Sequence, residues 1–300
     1  MSKNYRRPQH AGTWYSNDRT VLDGQLSRWL GKAKVKNFPA RAIIAPHAGY
    51  TYCGECGGNA YKQIDPSKVK RVFILGPAHY ISIKGCALST TQYYQTPLYN
   101  LNIDTKVYEE LYALGSFESV TLSSDEDEHS IEMHLPYIAK VMEDYKDQFT
   151  IVPVMVGSLS PEREMQYGRI FSQYLADPDN LFVISSDFCH WGNRFNFQYY
   201  NKQSGHIWQS IEHLDRMGMG IIESLDPLAF TQYLKDYGNT ICGRHPIGVL
   251  LNAINILRNS VNNGHKKTMT MKFLEYAQSN RVKKMEDSSV SYAAAALTIQ

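Results

Sequence analysis

The stretch Ala42-Ile43-Ile44-Ala45-Pro46-His47-Ala48-Gly49-Tyr50 decides how the rest of the chain is read. Four apolar residues run without interruption and stop at proline, histidine and glycine. A short apolar run bounded by breakers reads as a strand buried on both faces of a sheet. Val72-Phe73-Ile74-Leu75 repeats the device and stops at Gly76-Pro77-Ala78-His79. Residues 149–156 form a third run. Residues 181–185 form a fourth, which ends in Ser185-Ser186-Asp187-Phe188-Cys189-His190.

Helical signals lie between and beyond these runs. Leu22, Leu26, Trp29 and Leu30 share one helical face. Asp104 caps a helix over residues 105–114 that stops at Gly115, and Ser160-Pro161 and Asp226-Pro227 each pair a cap with a first-turn proline. A further helix begins at Pro246, and two late strands, near residues 269–276 and 289–299, close the chain. Alternating strands and helices predict an α/β fold: one domain over residues 1–300, with a mostly parallel or mixed central sheet flanked by helices. His47 and His79 are 32 residues apart, about one βαβ unit of ~30 residues.

In an open parallel sheet the strands' carboxyl ends share one edge, and ligands bind in the crevice there. His47, His79, His190 and Asp187 all follow strand ends and are expected to converge. Each alone has a plainer account: a loop histidine is usually solvated, and Asp187 suits a helix N-cap. Together they suggest a shared site. Neutral imidazoles of His47 and His79 can hold a first-row metal, with His190 as acid or base oriented by Asp187. Cys242, just before a helix, is either a thiolate ligand or nucleophile, acidified by the helix terminus and Arg244, or a small buried hydrophobe.

Cys53-Gly54-Glu55-Cys56 has redox spacing ahead of a helix, but a lone pair is weak, and packing at a helix start is favoured. Asp125, Glu126 and Asp127 read as charges complementing a helix dipole. Glu128, His129 and Glu132 share a helical face, so that one or two of them can reach the crevice. No GxSxG elbow and no phosphate loop occurs.

The 300 residues are 43% hydrophobic and carry 31 basic against 29 acidic groups. The apolar share supplies a core, and the charge balance makes nucleic acid a poor partner. No run approaches the ~20 apolar residues of a membrane span, and the start lacks the apolar core of a signal peptide. Five cysteines, an odd number, argue against a disulfide scaffold and for a cytosolic setting.

Residues 40–54, together with 125–136, 180–192, 239–252 and 287–294, strongly resemble the Memo family, named for mediator of ErbB2-driven cell motility. The likeness runs from Ala11 to the C-terminus. It implies the fold of class III extradiol dioxygenases, which use non-haem iron, and a metal site at His47, His79 and Cys242, with Asp187 and His190 lining the same pocket. It implies Fe(II) as the cofactor with Cu as the alternative, a cytoplasmic and nuclear setting, and work in receptor tyrosine kinase signalling, phosphotyrosine peptide binding, the RhoA pathway, microtubule control and redox signalling. The dioxygenases complete two histidines with a carboxylate, where this chain has Cys242. Ring cleavage is therefore not inherited, and a non-catalytic phosphotyrosine adaptor, using Arg244 and the helix start at Pro246, and an active dioxygenase on an unknown substrate are the competing expectations.

Overall fold

A computed structural model describes residues 4–260 and 268–300. The apolar runs become strands of a nine-stranded sheet. In chain order these are β1 (Ala42–Ala45), β2 (Arg71–Pro77), β3 (Cys86–Ser89), β4 (Phe117–Val120) and β5 (Thr150–Val156), then β6 (Asn180–Ser185), β7 (His190–Trp191), β8 (Met269–Gln278) and β9 (Ser289–Ile299). The order across the sheet is β7-β9-β1-β6-β2-β5-β3-β4, with β8 also paired to β9. Strands β1, β6, β2 and β5 are parallel neighbours, while β9 joins β1 and β3 joins β5 antiparallel. The fold is α/β with a mixed sheet, as expected.

Every residue of β1 and β6 is buried, which is why both read as unbroken apolar runs. Phe73 of β2 stacks on Phe182 of β6 at 4.8 Å between ring centres. Both rings are fully buried, and burial of such a side chain stabilises by about 1.5–3 kcal/mol. The pairing register then places the chemistry. Ala45 lies opposite Ser185, and Ile184 opposite Leu75. His47 and Asp187, each two residues further on, therefore leave the sheet at the same level, with His79 beside them.

The expected helices form where their caps stand. Asp18 accepts the Val21 N–H at 2.9 Å and starts α1 (Arg19–Lys32), which buries Leu22, Leu26 and Trp29. Asp104, Ser160 and Asp226 likewise cap α3 (Thr105–Ala113), α4 (Pro161–Ala176) and α6 (Pro227–Tyr237). The last helix, α7 (Arg244–Asn259), begins two residues before Pro246, which sits in its first turn. Helix α5 (Ile207–Glu223) was not expected. Its cap is His206, paired reciprocally with Gln209, a combination without the usual Ser, Thr or Asp signal.

The Cys53-Cys56 motif falls inside α2 (Tyr50–Tyr61), not ahead of it. Both thiols are buried, and burial pushes both well above their ordinary range. Cys53 donates to the Ala48 carbonyl at 3.0 Å. The glycines beside them are a packing face: a Cβ on Gly54 would stand 2.6 Å from Trp29 Cζ3 of α1. No helix among the described residues is long and apolar enough to cross a membrane.

Candidate metal centre

The turn after β1 presents His47, which is 2% exposed. Its Nδ1 lies 2.6 Å from Ser185 Oγ, and that hydroxyl donates to the Ser130 carbonyl at 2.6 Å. With its proton so used, the hydroxyl accepts from Nδ1–H, which leaves a lone pair on Nε2. Cys242 Sγ stands 3.2 Å from that Nε2. A nitrogen and a sulfur bound tetrahedrally to one ion would be roughly 3.5 Å apart at ordinary bond lengths, so the pair fits a shared metal.

His79, after β2, is held from its far side. Its Nδ1 is 2.9 Å from Glu128 Oε1, and its backbone N–H donates to Glu128 Oε2 at 2.6 Å. Burial works against the Glu128 charge, but the His79 hydrogen bonds and the nearby His129 outweigh it and hold the carboxyl down to about 2. An ionised carboxylate only accepts, so His79 also keeps its proton on Nδ1 and offers Nε2. Among the described residues, His47, His79 and His129 have ligand nitrogens all within 4.8 Å of one another. His129, on a one-turn helix (His129–Glu132), stacks on His79 at 4.5 Å with the two rings nearly parallel, at 17°.

Cys242 is half-buried just before α7. The expected acidification by the helix terminus and Arg244 does not hold. Burial, with Asp187 nearby, pushes the thiol up, and the Arg244 side chain turns to the Ile241 carbonyl at 3.5 Å. The Asp187 N–H donates to Sγ at 3.1 Å. The thiol therefore stays protonated until an ion displaces the proton.

Asp187 and His190 line the same cleft, but not as a pair. No helix follows Asp187, so it is not an N-cap; its Oδ1 accepts the His47 N–H at 2.9 Å, and burial pushes its carboxyl up to about 7. His190 is oriented by carbonyls instead, with Nδ1 2.9 Å from Phe188 O and 3.2 Å from Thr240 O. Carbonyls accept, so His190 carries its proton on Nδ1 and presents Nε2 as a base. Above these groups the cleft encloses about 590 Å³ and is walled by Trp14, Tyr52, Arg194, Phe195 and Tyr292. Arg194, not Arg244, is the guanidinium in the cleft wall; it lies 4.4 Å above the Phe195 ring.

The loop carrying His190 is pinned by Asp215 of α5. Its carboxylate accepts from Cys189 N at 3.2 Å, Asn239 Nδ2 at 2.9 Å and Tyr276 Oη at 2.9 Å. Burial lifts its carboxyl to about 6. A carboxyl with a folded-state value above the ~3.9 of an unfolded chain supports folding most below pH 4 and loses that contribution as pH rises through 6. The stability of the native chain relative to Asp215→Asn should therefore fall by about 2 kcal/mol between pH 4 and pH 7. Urea unfolding of both proteins at the two pH values checks this, and a difference that does not change with pH refutes it.

The acidic run reads differently in three dimensions. Asp125 does fall in the first turn of a short helix (Leu122–Asp127), but its carboxylate is buried and not solvated; it accepts from Tyr94 Oη at 2.7 Å, Ser89 Oγ at 2.6 Å and Arg6 Nε at 3.3 Å. Glu132 turns away from the cleft to Arg6, His10 and Tyr15. Of the three residues expected to share a face, His129 lines the crevice, and Glu128 stands behind His79.

A family model described as Memo-like protein matches residues 6–296. Proteins called Protein MEMO1 from Rattus norvegicus and Homo sapiens are each 59% identical over 294 residues, covering 98% of this chain and 97% of theirs. The Protein memo-1 homolog of Caenorhabditis elegans is 50% identical, over 98% of this chain and 83% of its own length. In fold alone, the chain is similar to the crystal structure of an uncharacterized protein of Escherichia coli K12: TM-score 0.50 and 11% identity, over 84% of this chain and 98% of that one.

Proposed function

Because the chain belongs to the Memo-like protein family, we propose that its cleft is a metal centre in which His47, His79 and Cys242 hold Fe(II), with Cu as the alternative ion. One observation carries this reading: His47 Nε2 and Cys242 Sγ stand 3.2 Å apart, while the other nitrogen of each imidazole is already engaged. When bound, the metal supplies Lewis acidity and, through a soft thiolate, an electron-rich centre suited to redox chemistry. The chain's own residues do the rest. Ser185 and Glu128 fix the two ligand tautomers, Asp187 holds the His47 backbone and the Cys242 turn together, and His190 offers Nε2 to a proton on a molecule in the cleft.

A carboxylate third ligand is missing, so ring cleavage of catechols is not assigned. Family membership and its resemblance support a cytoplasmic role in receptor tyrosine kinase signalling, cell motility and cytoskeletal control. Arg194 beside Phe195 in the cleft wall favours a second reading: a phosphotyrosine peptide adaptor in which a guanidinium meets the phosphate.

The metal centre is tested by anaerobic Fe(II) titration of the full chain. His47→Ala should lose binding. Cys242→Ala should bind more weakly by about tenfold or more, since a ligand and not an outer contact is removed. Equal affinity of Cys242→Ala and wild type sinks the thiol assignment.

A further inference from the structure

His129 is a buried histidine that the thiol donor set does not use. Its neighbours fix where it can act. Glu128 caps the one-turn helix, accepting the Ser130 N–H at 2.8 Å, and its Oε1 lies 2.9 Å from His79 Nδ1 and 3.5 Å from His129 Nδ1. One carboxylate oxygen thus faces the Nδ1 atoms of both stacked rings, which leaves both Nε2 atoms on the opposite side. At 3.5 Å the second contact is too long for a good hydrogen bond, and His129 Nδ1 is buried with no partner among the described residues. Trp14 packs on the ring at 4.5 Å, tilted by 39°, and the His47 ring meets it edge-on at 5.3 Å. A buried, unpartnered imidazole nitrogen calls for an explanation. A metal on Nε2 supplies one, because it fixes the proton on Nδ1 and makes that N–H a stronger donor to Glu128.

We propose that His129 is a metal ligand that gives the cleft a second donor set, His47, His79 and His129, overlapping the thiol set at its two shared histidines. This rests on the reading of the cleft as a metal centre. The two sets differ in softness. A thiolate with two imidazoles suits Cu(I) and Fe(II); three imidazoles with an open position suit a borderline divalent ion such as Zn(II), Co(II) or Cu(II). The site therefore keeps a divalent ion when the thiol is not a ligand.

Cobalt reports the donor set directly, since a thiolate adds a charge-transfer band in the near ultraviolet while imidazoles do not. Anaerobic Co(II) titration of the full chain compares wild type, Cys242→Ala, His129→Phe and the double variant. Phenylalanine keeps a ring stacked on His79 and removes both nitrogens. Cys242→Ala is expected to bind one Co(II) without the thiolate band, and His129→Phe to keep the band. The double variant should bind more than about tenfold more weakly than Cys242→Ala. As a readout independent of cobalt spectra, zinc should raise the melting temperature of Cys242→Ala and not that of the double variant, and His129→Gln should behave as His129→Phe does. If the double variant binds as tightly as Cys242→Ala, or Cys242→Ala binds no Co(II) while wild type does, the second donor set is wrong and the thiol centre stands. If wild type and every variant fail to bind, the metal centre itself falls.

Discussion

Arg6→Met is expected to destabilise the fold by about 3–5 kcal/mol and to loosen the metal centre with it. The Arg6 side chain is 1% exposed and satisfied at every nitrogen. Nη1 meets Glu132 at 2.7 Å, Nε meets Asp125 at 3.3 Å, and the carbonyls of Asp125 and Glu128 accept at 2.9 and 2.8 Å. Burial opposes the guanidinium charge, but Glu132 and Asp125 outweigh it, and its pKa is raised. Methionine has similar reach and no charge, so the substitution leaves two buried carboxylates without their cation. The second effect runs through the backbone. Arg6 holds the Glu128 carbonyl, and the Glu128 side chain orients His79. A shifted Glu128 should weaken Co(II) or Fe(II) binding by about 10–100-fold, as loss of an orienting partner typically does. Urea unfolding and metal titration read the two effects separately. Arg7→Met is the control: its guanidinium pairs with Glu126 from a largely exposed position, and its loss should hardly move the unfolding midpoint. A native-like midpoint for Arg6→Met would refute the account.

Gly243→Ala should displace the thiol. A Cβ at this position would overlap the Ser185 carbonyl oxygen and Ser186 Cβ and lie 2.6 Å from Ser186 Oγ. Two of these three atoms belong to rigid elements at the end of β6, so the turn itself must move. Gly243 N–H also donates to Ser186 Oγ at 3.1 Å, a bond the movement breaks. Overpacking of this kind costs about 1–3 kcal/mol. Cys242 is the adjacent residue and moves with the turn, away from His47 Nε2. The variant should melt at a lower temperature and bind Co(II) without the thiolate band, resembling Cys242→Ala. An unchanged melting temperature together with an intact band would show that the turn absorbs the methyl group.

Much of this site could be read from the chain because its scaffold is local. A strand buried on both faces must be apolar throughout, so β1, β2, β5 and β6 announce themselves, and the polar residue that ends each run sits at the sheet edge. His47, His79 and Asp187 follow directly. Helix starts were equally legible where Asp or Ser supplied the cap, and α5 escaped because histidine and glutamine did so. Strands β3 and β4 escaped because polar residues break their apolar runs: Ser89 ends the first after three residues, and Glu118 and Ser119 split the second.

The rest depended on contacts between residues far apart in the chain. Nothing near Asp125 and Glu132 reveals that their counter-ion is Arg6, 119 and 126 residues away, so the run reads locally as a solvated helix start. Cys242 was open between ligand and hydrophobe, because the groups that distinguish the two, His47 Nε2 and the Asp187 N–H, arrive on other loops. His190 takes its orientation from Phe188 and Thr240 carbonyls, not from the neighbouring carboxylate. By itself the sequence determined the α/β class, the sheet edge where the chemistry collects and the family, all of which follow from periodic burial and contiguous motifs. Only the tertiary structure decided which donors face one another. Loop side chains have no period to betray their direction, and hydrogen-bond partners at two to three ångströms are chosen by how the loops pack on the finished sheet.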